Sequence, residues 1–278
     1  MPVPASDPAG DGTAHPPLLS LRGVSKTFGA VQALSGIDLD IYAGEVVALL
    51  GDNGAGKSTL VKILAGAHAA DSGTITAAGR QVTISSPADS RALGIATVYQ
   101  DLALCDNLDV VANLFLGREE GRFTLSEEAM EQHAWTLLRQ LSAKIPSVRI
   151  TVASLSGGQR QTVAIARSLI GEPSVVILDE PTAALGVAQT AEVLNLIERL
   201  RDRGLGVLLI THNMADVQEV ADRAVVLRLG RNNGVFRVRD VSHEEIIAAI
   251  TGATDSAVTR RAAATTARKA AAEGTATP

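Results

Sequence analysis

The chain has 278 residues, 46% of them hydrophobic, with 30 acidic against 25 basic side chains and a formal net charge of −5. That is enough apolar material for a substantial core, and the acidic balance argues against a nucleic-acid backbone as main partner, since phosphates demand a basic footprint. No apolar run approaches the roughly 18–20 residues that cross a bilayer, and the single cysteine, Cys105, forms neither an intrachain disulfide nor a metal-ligand spacing.

In chain order, residues 1–16 are rich in Pro, Ala, Gly and Asp and lack the basic start and apolar stretch of a secretory signal. They are expected to be disordered, and a reducing cytosol is the expected compartment. Leu19–Val24 and Ile37–Tyr42 alternate as antiparallel edge strands do. Glu45–Leu50 is nearly continuous in apolar residues, the mark of a strand covered on both faces. It runs into Gly51-Asp52-Asn53-Gly54-Ala55-Gly56-Lys57-Ser58-Thr59, and Ser58–Ala65 reads as a helix. A further strand, Ile95–Tyr99, ends at Gln100.

Residues 101–170 have little strand character and read as a helical subdomain inserted into the core. Within it, Leu125–Ala143 is expected as one helix, capped by Thr124 or Ser126. Leu155-Ser156-Gly157-Gly158-Gln159 then precedes a helical run, Thr162–Leu169. Ser174–Leu178 is a strand leading into Asp179-Glu180, and Val193, Leu196, Ile197 and Leu200 mark an amphipathic helix. Leu205–Ile210 is the last clear strand, followed by His212. Residues 255–278 carry Arg260, Arg261, Arg268 and Lys269 among Ala, Thr and Gly, which reads as a solvated, disordered tail. Strands alternating with helices predict an α/β fold with a mainly parallel sheet and an antiparallel β edge, spanning residues 17–254. No motif recurs, so the pattern is encoded once.

Gly51 to Ser58 matches G-x-x-x-x-G-K-[ST] between a strand and a helix, the context this phosphate-binding pattern requires. Glycines let backbone N–H groups curl around phosphate oxygens, and the helix start adds partial positive charge. Lys57 is positioned to neutralise the terminal phosphates of ATP and Ser58 to place its hydroxyl on Mg2+. An Asp at the end of a neighbouring strand holds magnesium in P-loop enzymes, the role expected of Asp179, and Glu180 is placed to act as general base toward water.

Ser156-Gly157-Gly158-Gln159, with Leu155 before it, resembles the signature of the ATP-binding cassette (ABC) ATPases without a mismatch, and it lies between phosphate loop and carboxylate strand as theirs does. The resemblance covers residues 17–250. It implies a P-loop NTPase core in which Phe28 stacks on adenine, Gln100 touches magnesium and relays the state of the site, and His212 contacts the γ-phosphate. It also implies a second ATPase chain, with each ATP between Lys57 of one chain and Ser156, Gly157 and Gly158 of the other. In one respect the chain departs from the pattern. After Glu180-Pro-Thr-Ala-Ala-Leu185 it has Gly186, where many members carry an Asp that reaches across the dimer.

Gly51-Asp-Asn-Gly54, Val98-Tyr-Gln-Asp-Leu-Ala-Leu104, the run Asn107–Arg118 and Glu180-Pro-Thr-Ala-Ala-Leu-Gly186 are similar to the ATPases of bacterial monosaccharide importers of the ribose, xylose and fructose type. That likeness implies attachment to a membrane permease at the cytoplasmic face of the membrane, and an extracytoplasmic sugar-binding protein feeding it. Leu108, Val110, Val111, Leu114, Phe115 and Leu116 are candidates either for lining the permease groove or for the core of the helical segment. An exporter ATPase is the nearest alternative, and a soluble ABC ATPase acting on DNA or ribosomes is a more distant one.

Overall fold

A computed structural model describes residues 16–119 and 126–253. The tail 255–278, nearly all of the N-terminal segment, and both Thr124 and Leu125 lie outside the described residues. The elements run β1 (Leu19–Phe28), β2 (Val31–Ile41), β3 (Val46–Leu50), α1 (Lys57–Leu64), β4 (Ser72–Ala77), β5 (Arg80–Val82), α2 (Pro87–Ala92) and β6 (Ile95–Val98). They continue with α3 (Val110–Phe115), α4 (Glu127–Gln140), α5 (Gly157–Leu169), β7 (Val175–Asp179), α6 (Val187–Asp202), β8 (Gly206–Ile210), α7 (Met214–Val220), β9 (Arg223–Arg228), β10 (Arg231–Arg237) and α8 (His243–Thr251).

The strands form two sheets. A four-stranded antiparallel sheet has the order β2-β1-β4-β5, and a six-stranded sheet has the order β10-β9-β3-β8-β7-β6. In the second sheet every pairing is parallel except that of β9 with β10. The continuous apolar runs of β3, β7 and β8 have a physical reason, because residues on alternate faces enter different cores. Val47, Leu49, Val175, Ile177, Leu208 and Ile210 pack with Leu60 and Ile63 of α1 and with Leu21 and Ile37 of the small sheet. Val46, Val176, Leu178, Val207 and Leu209 face the other way, toward Val163 and Ile165 of α5 and Val193 and Ile197 of α6. Each such side chain, buried from water, contributes about 1.5–3 kcal/mol.

The described part of residues 101–170 contains helices, a short 3-10 turn at Val152–Ser154 and an isolated bridge between Asp109 and Thr151. Its apolar side chains, including Phe115 and Leu137, share one cluster with the sheet face. Several expectations need correction. The edge strands extend to Phe28 and back to Val31, forming a hairpin around Gly29-Ala30. The helix expected over 125–143 starts at Glu127 and stops at Gln140, and Ser126 makes no side-chain cap bond. Ser142, at φ 50°, turns the chain left-handed, so Leu141 and Ile145 are buried from a loop rather than from helix. Finally, α5 starts five residues earlier than the run expected from Thr162, directly on the signature glycines. No described helix is long and apolar enough to cross a membrane.

Candidate active site

In the large sheet, β3, β8, β7 and β6 are neighbours and parallel, so their carboxyl ends share one edge. The loops leaving them carry Gly51–Lys57, His212, Asp179-Glu180 and Tyr99-Gln100. Ligands of open α/β sheets bind in this position.

The phosphate loop depends on glycine where the backbone demands it. A Cβ at Gly51 (φ 151°) would lie 2.4 Å from the Leu227 carbonyl oxygen, and one at Gly56 (φ 105°) would lie 2.6 Å from Leu34 Cδ2. The loop is tied down by Ala55 N donating to Asp52 O (3.1 Å) and Gly230 N donating to Ala55 O (3.1 Å). No side chain caps α1. Lys57 Nζ folds back to donate to Gly51 O (2.6 Å) and Asp52 O (3.1 Å). Asp52, Asn53, Gly54 and Ser58 are exposed, Thr59 is half-buried and Ala55 is buried.

Charges converge here. Burial pushes the Lys57 ammonium below its ordinary range, while Glu180, Asp52 and Asp179 hold it up. Burial pushes the Asp179 carboxyl above its ordinary range, Glu180 adds to the effect and Lys57 opposes it. Tyr99 is also raised, by burial and by the nearby charge of Asp179. Lys57, Asp179 and Glu180 therefore form one electrostatic group. Glu180 and His212 meet directly, with His212 Nδ1 lying 2.8 Å from Oε2 and 3.0 Å from Oε1 of Glu180. Strand pairing sets this contact, since Asp179 is opposite Ile210 and Glu180 N donates to Ile210 O (2.9 Å). Gln100, exposed, follows β6 at the same edge.

Phe28 does not belong to the core: it is 42% exposed. His68 approaches its ring edge-on (5.1 Å between centroids, 69°), and Lys26 Nζ lies 5.4 Å from the ring centroid. The signature residues form a separate unit. Ser156 Oγ accepts from Gln159 N (3.3 Å), and Gln159 Oε1 accepts from Ser156 N (2.9 Å), a reciprocal cap on α5. Gln159 Nε2 also donates to Lys144 O (2.8 Å). A Cβ on Gly157 would lie 3.0 Å from Leu185 Cδ2, and one on Gly158 would lie 3.1 Å from Gln189 Cβ. Space, rather than φ, favours glycine at these two positions.

A model of the ABC transporter family matches residues 34–183. The chain belongs to the ABC transporter family. Among its relatives, the xylose/arabinose import ATP-binding protein of Sulfolobus acidocaldarius is 47% identical over 235 residues, covering 84% of this chain and 94% of that protein. The fructose import ATP-binding protein of Rhizobium meliloti is 45% identical, covering 86% of this chain and 96% of that one. A ribose import ATP-binding protein of Rubrobacter xylanophilus is 43% identical, and the match covers 47% of its length. Among solved structures, the ADP conformation of an ATP-binding cassette from an ABC transporter superposes with a TM-score of 0.74 at 26% identity, covering 88% of this chain and 97% of that one. A cassette from Clostridium perfringens, part of an ABC transporter complex, superposes at 0.73 with 28% identity, covering 84% and 93%.

This ABC ATPase has site contacts that its motifs did not announce. Leu185 and Gln189 pack against the signature glycines, His68 flanks Phe28, and Thr182 and Asp216 join the segments around Glu180 and His212. Their only sequence signal was proximity to a motif. Gly186 has open space around a Cβ, and its φ of −74° suits any residue, so the local geometry does not impose the missing Asp.

Proposed function

We propose that this chain is the ATP-hydrolysing subunit of a membrane importer for a monosaccharide, working as a homodimer on the cytoplasmic face of the membrane. The observation that carries the reading is the convergence of Lys57, Asp179, Glu180 and His212 on adjoining parallel strand ends. The relatives named for xylose/arabinose, fructose and ribose import support the cargo class.

The backbone of Gly51–Thr59 and Lys57 bind the phosphates, and Phe28 stacks on adenine through its exposed ring. Ser58, Gln100 and Asp179 offer a hydroxyl, an amide oxygen and a carboxylate. These hard oxygen donors, near the poorly solvated Asp179, fit Mg2+, which takes few protein ligands and keeps waters. When bound there, magnesium supplies charge neutralisation for the phosphate oxygens. Glu180 accepts a proton from the attacking water as its oxygen bonds to the γ-phosphorus; the bond to the β–γ bridging oxygen breaks and ADP departs. Carboxylate and phosphate oxygens both only accept, so His212 gives a ring N–H from Nδ1 to Glu180 here, and its contact with the γ-phosphate takes a ring N–H as donor too. Ser156, Gly157, Gly158 and Gln159 face the nucleotide of the second chain.

Toward the permease, the apolar candidates divide. Val110, Val111, Leu114 and Phe115 are buried in the core and Leu108 is half-buried, whereas Leu116 is 50% exposed. Leu116 borders a cavity of about 680 Å³ together with Leu102, Arg118 and Arg167, and this cavity is the proposed docking groove. The experiment is reconstitution of the chain with its co-purifying permease in vesicles. ATPase activity should rise when a sugar-loaded external binding protein is added, and deletion of the chain should abolish uptake of one pentose or hexose. Unchanged uptake of monosaccharides with lost efflux of another compound would overturn the importer reading.

A further inference from the structure

The turn after β7 is conformationally costly. Glu180 (φ 51°) and Ala184 (φ 62°) both adopt left-handed backbone, which residues with side chains hold only where the surroundings fix them. Within the turn, Ala183 N donates to Glu180 O (3.1 Å) and Leu185 N donates to Thr182 O (3.2 Å). A side-chain clasp comes from outside it: Thr182 Oγ1 donates to Asp216 Oδ2 at 2.5 Å.

Asp216 is 2% exposed. Its second oxygen, Oδ1, accepts from Asn213 Nδ2 at 2.8 Å. Asn213 is the residue after His212, and its own backbone N–H donates to Thr211 Oγ1 (3.0 Å), itself on a buried residue. One buried carboxylate thus takes a donor from the turn that follows Glu180 and another from the loop that bears His212. Those two segments carry the Glu180–His212 contact.

We propose that Asp216 is a positioning residue for ATP hydrolysis, its carboxylate clasping the Glu180 turn and the His212 loop in fixed register. The proposal rests on the reading of Glu180 as the base. A carboxylate suits the task because it is acceptor-only, with one oxygen for each donor. An amide in its place would turn an NH2 group toward one of those donors. Burial excludes the water that would otherwise repair the loss.

The test compares the full chain with Asp216→Asn, Thr182→Val, Thr182→Ser, Glu180→Gln and the Asp216→Asn/Glu180→Gln pair. ATPase kcat, KM and thermal midpoint are measured for each. Asp216→Asn and Thr182→Val should lower kcat by roughly 10- to 100-fold, the range for a slightly misplaced catalytic group, with KM for ATP unchanged. Thr182→Ser, which keeps the hydroxyl, should restore the rate. Asp216→Asn should add almost nothing to Glu180→Gln if it acts through that residue. Should Asp216→Asn fail to fold, the near-isosteric Thr182→Val carries the same comparison. Normal kcat in the folded variants, with turnover lost in Glu180→Gln, overturns the role of Asp216 alone. Full additivity of the pair does the same. Near-normal turnover in Glu180→Gln overturns the base reading and this proposal together.

Discussion

Among the described helices, α1 and α5 begin beside clustered glycines, and they close their first turns in opposite ways. α1 follows a left-handed Gly56, has no side-chain cap, and leaves Lys57 to clasp the loop carbonyls. α5 follows Ser156, which exchanges hydrogen bonds with Gln159 so that both backbone donors are used internally. An uncapped helix start keeps its N–H groups available to an anion, whereas a capped one holds its shape without a ligand. On the proposed reading, this contrast suits the phosphate loop to binding ATP within one chain. The signature is a rigid face whose Ser156 hydroxyl, already accepting from Gln159, retains its proton to donate elsewhere.

The sharpest break of that contrast is Lys57→Ala. Loss of a charged hydrogen-bond donor should weaken ATP binding to the dilute single chain by about 100-fold, read by titration calorimetry. Ser156→Ala should leave the same affinity unchanged. Equal losses from both would mean that the signature binds nucleotide within its own chain. Gly56→Ala comes next. With φ at 105° and Cβ contacts of 2.6 Å to Leu34 Cδ2 and 2.9 Å to Ala33 O, it should cost roughly 1–3 kcal/mol by chemical denaturation. Gly158→Ala, helical and merely crowded, should cost less.

The legibility of the sequence followed a similar division. Strands buried on both faces, such as β3 and β7, announce themselves by continuous apolar residues, and the residues at their ends fall on motifs. Elements that exist through pairing do not. β4 reads Ser-Gly-Thr-Ile-Thr-Ala and β10 reads Arg-Asn-Asn-Gly-Val-Phe-Arg, polar strings that become strands only beside β1 and β9. The bulges along the β1–β2 pairing broke the alternation that would have revealed their full length. In the site, Asp216 was invisible because an acid in a short helix reads as a solvated face, and its partner Thr182 lies 34 residues away.

Smaller effects sharpen the contrast further. Ser156→Ala removes the cap of α5 and should cost about 1 kcal/mol of stability, seen as a lowered thermal midpoint. Its size separates a structural cap from a ligand contact. Gly186→Asp should gain only a few tenths of a kcal/mol, since an Asp fits the open N-cap position of α6, where Gly186 N now donates to Gln189 Oε1. A clear loss of stability there would mean that the turn before α6 requires glycine.

On the proposed reading, this chain binds ATP at the start of α1 and hydrolyses it with Glu180. Measuring ATP binding and turnover together in Glu180→Gln separates the two halves of that claim. That change keeps the shape of the side chain and removes the acceptor charge beside His212. Hydrolysis should fall by ~10²–10⁴, the range for losing general-base catalysis, while ATP binding persists and the ATP-bound dimer accumulates. Turnover close to that of the unaltered chain would contradict the claim.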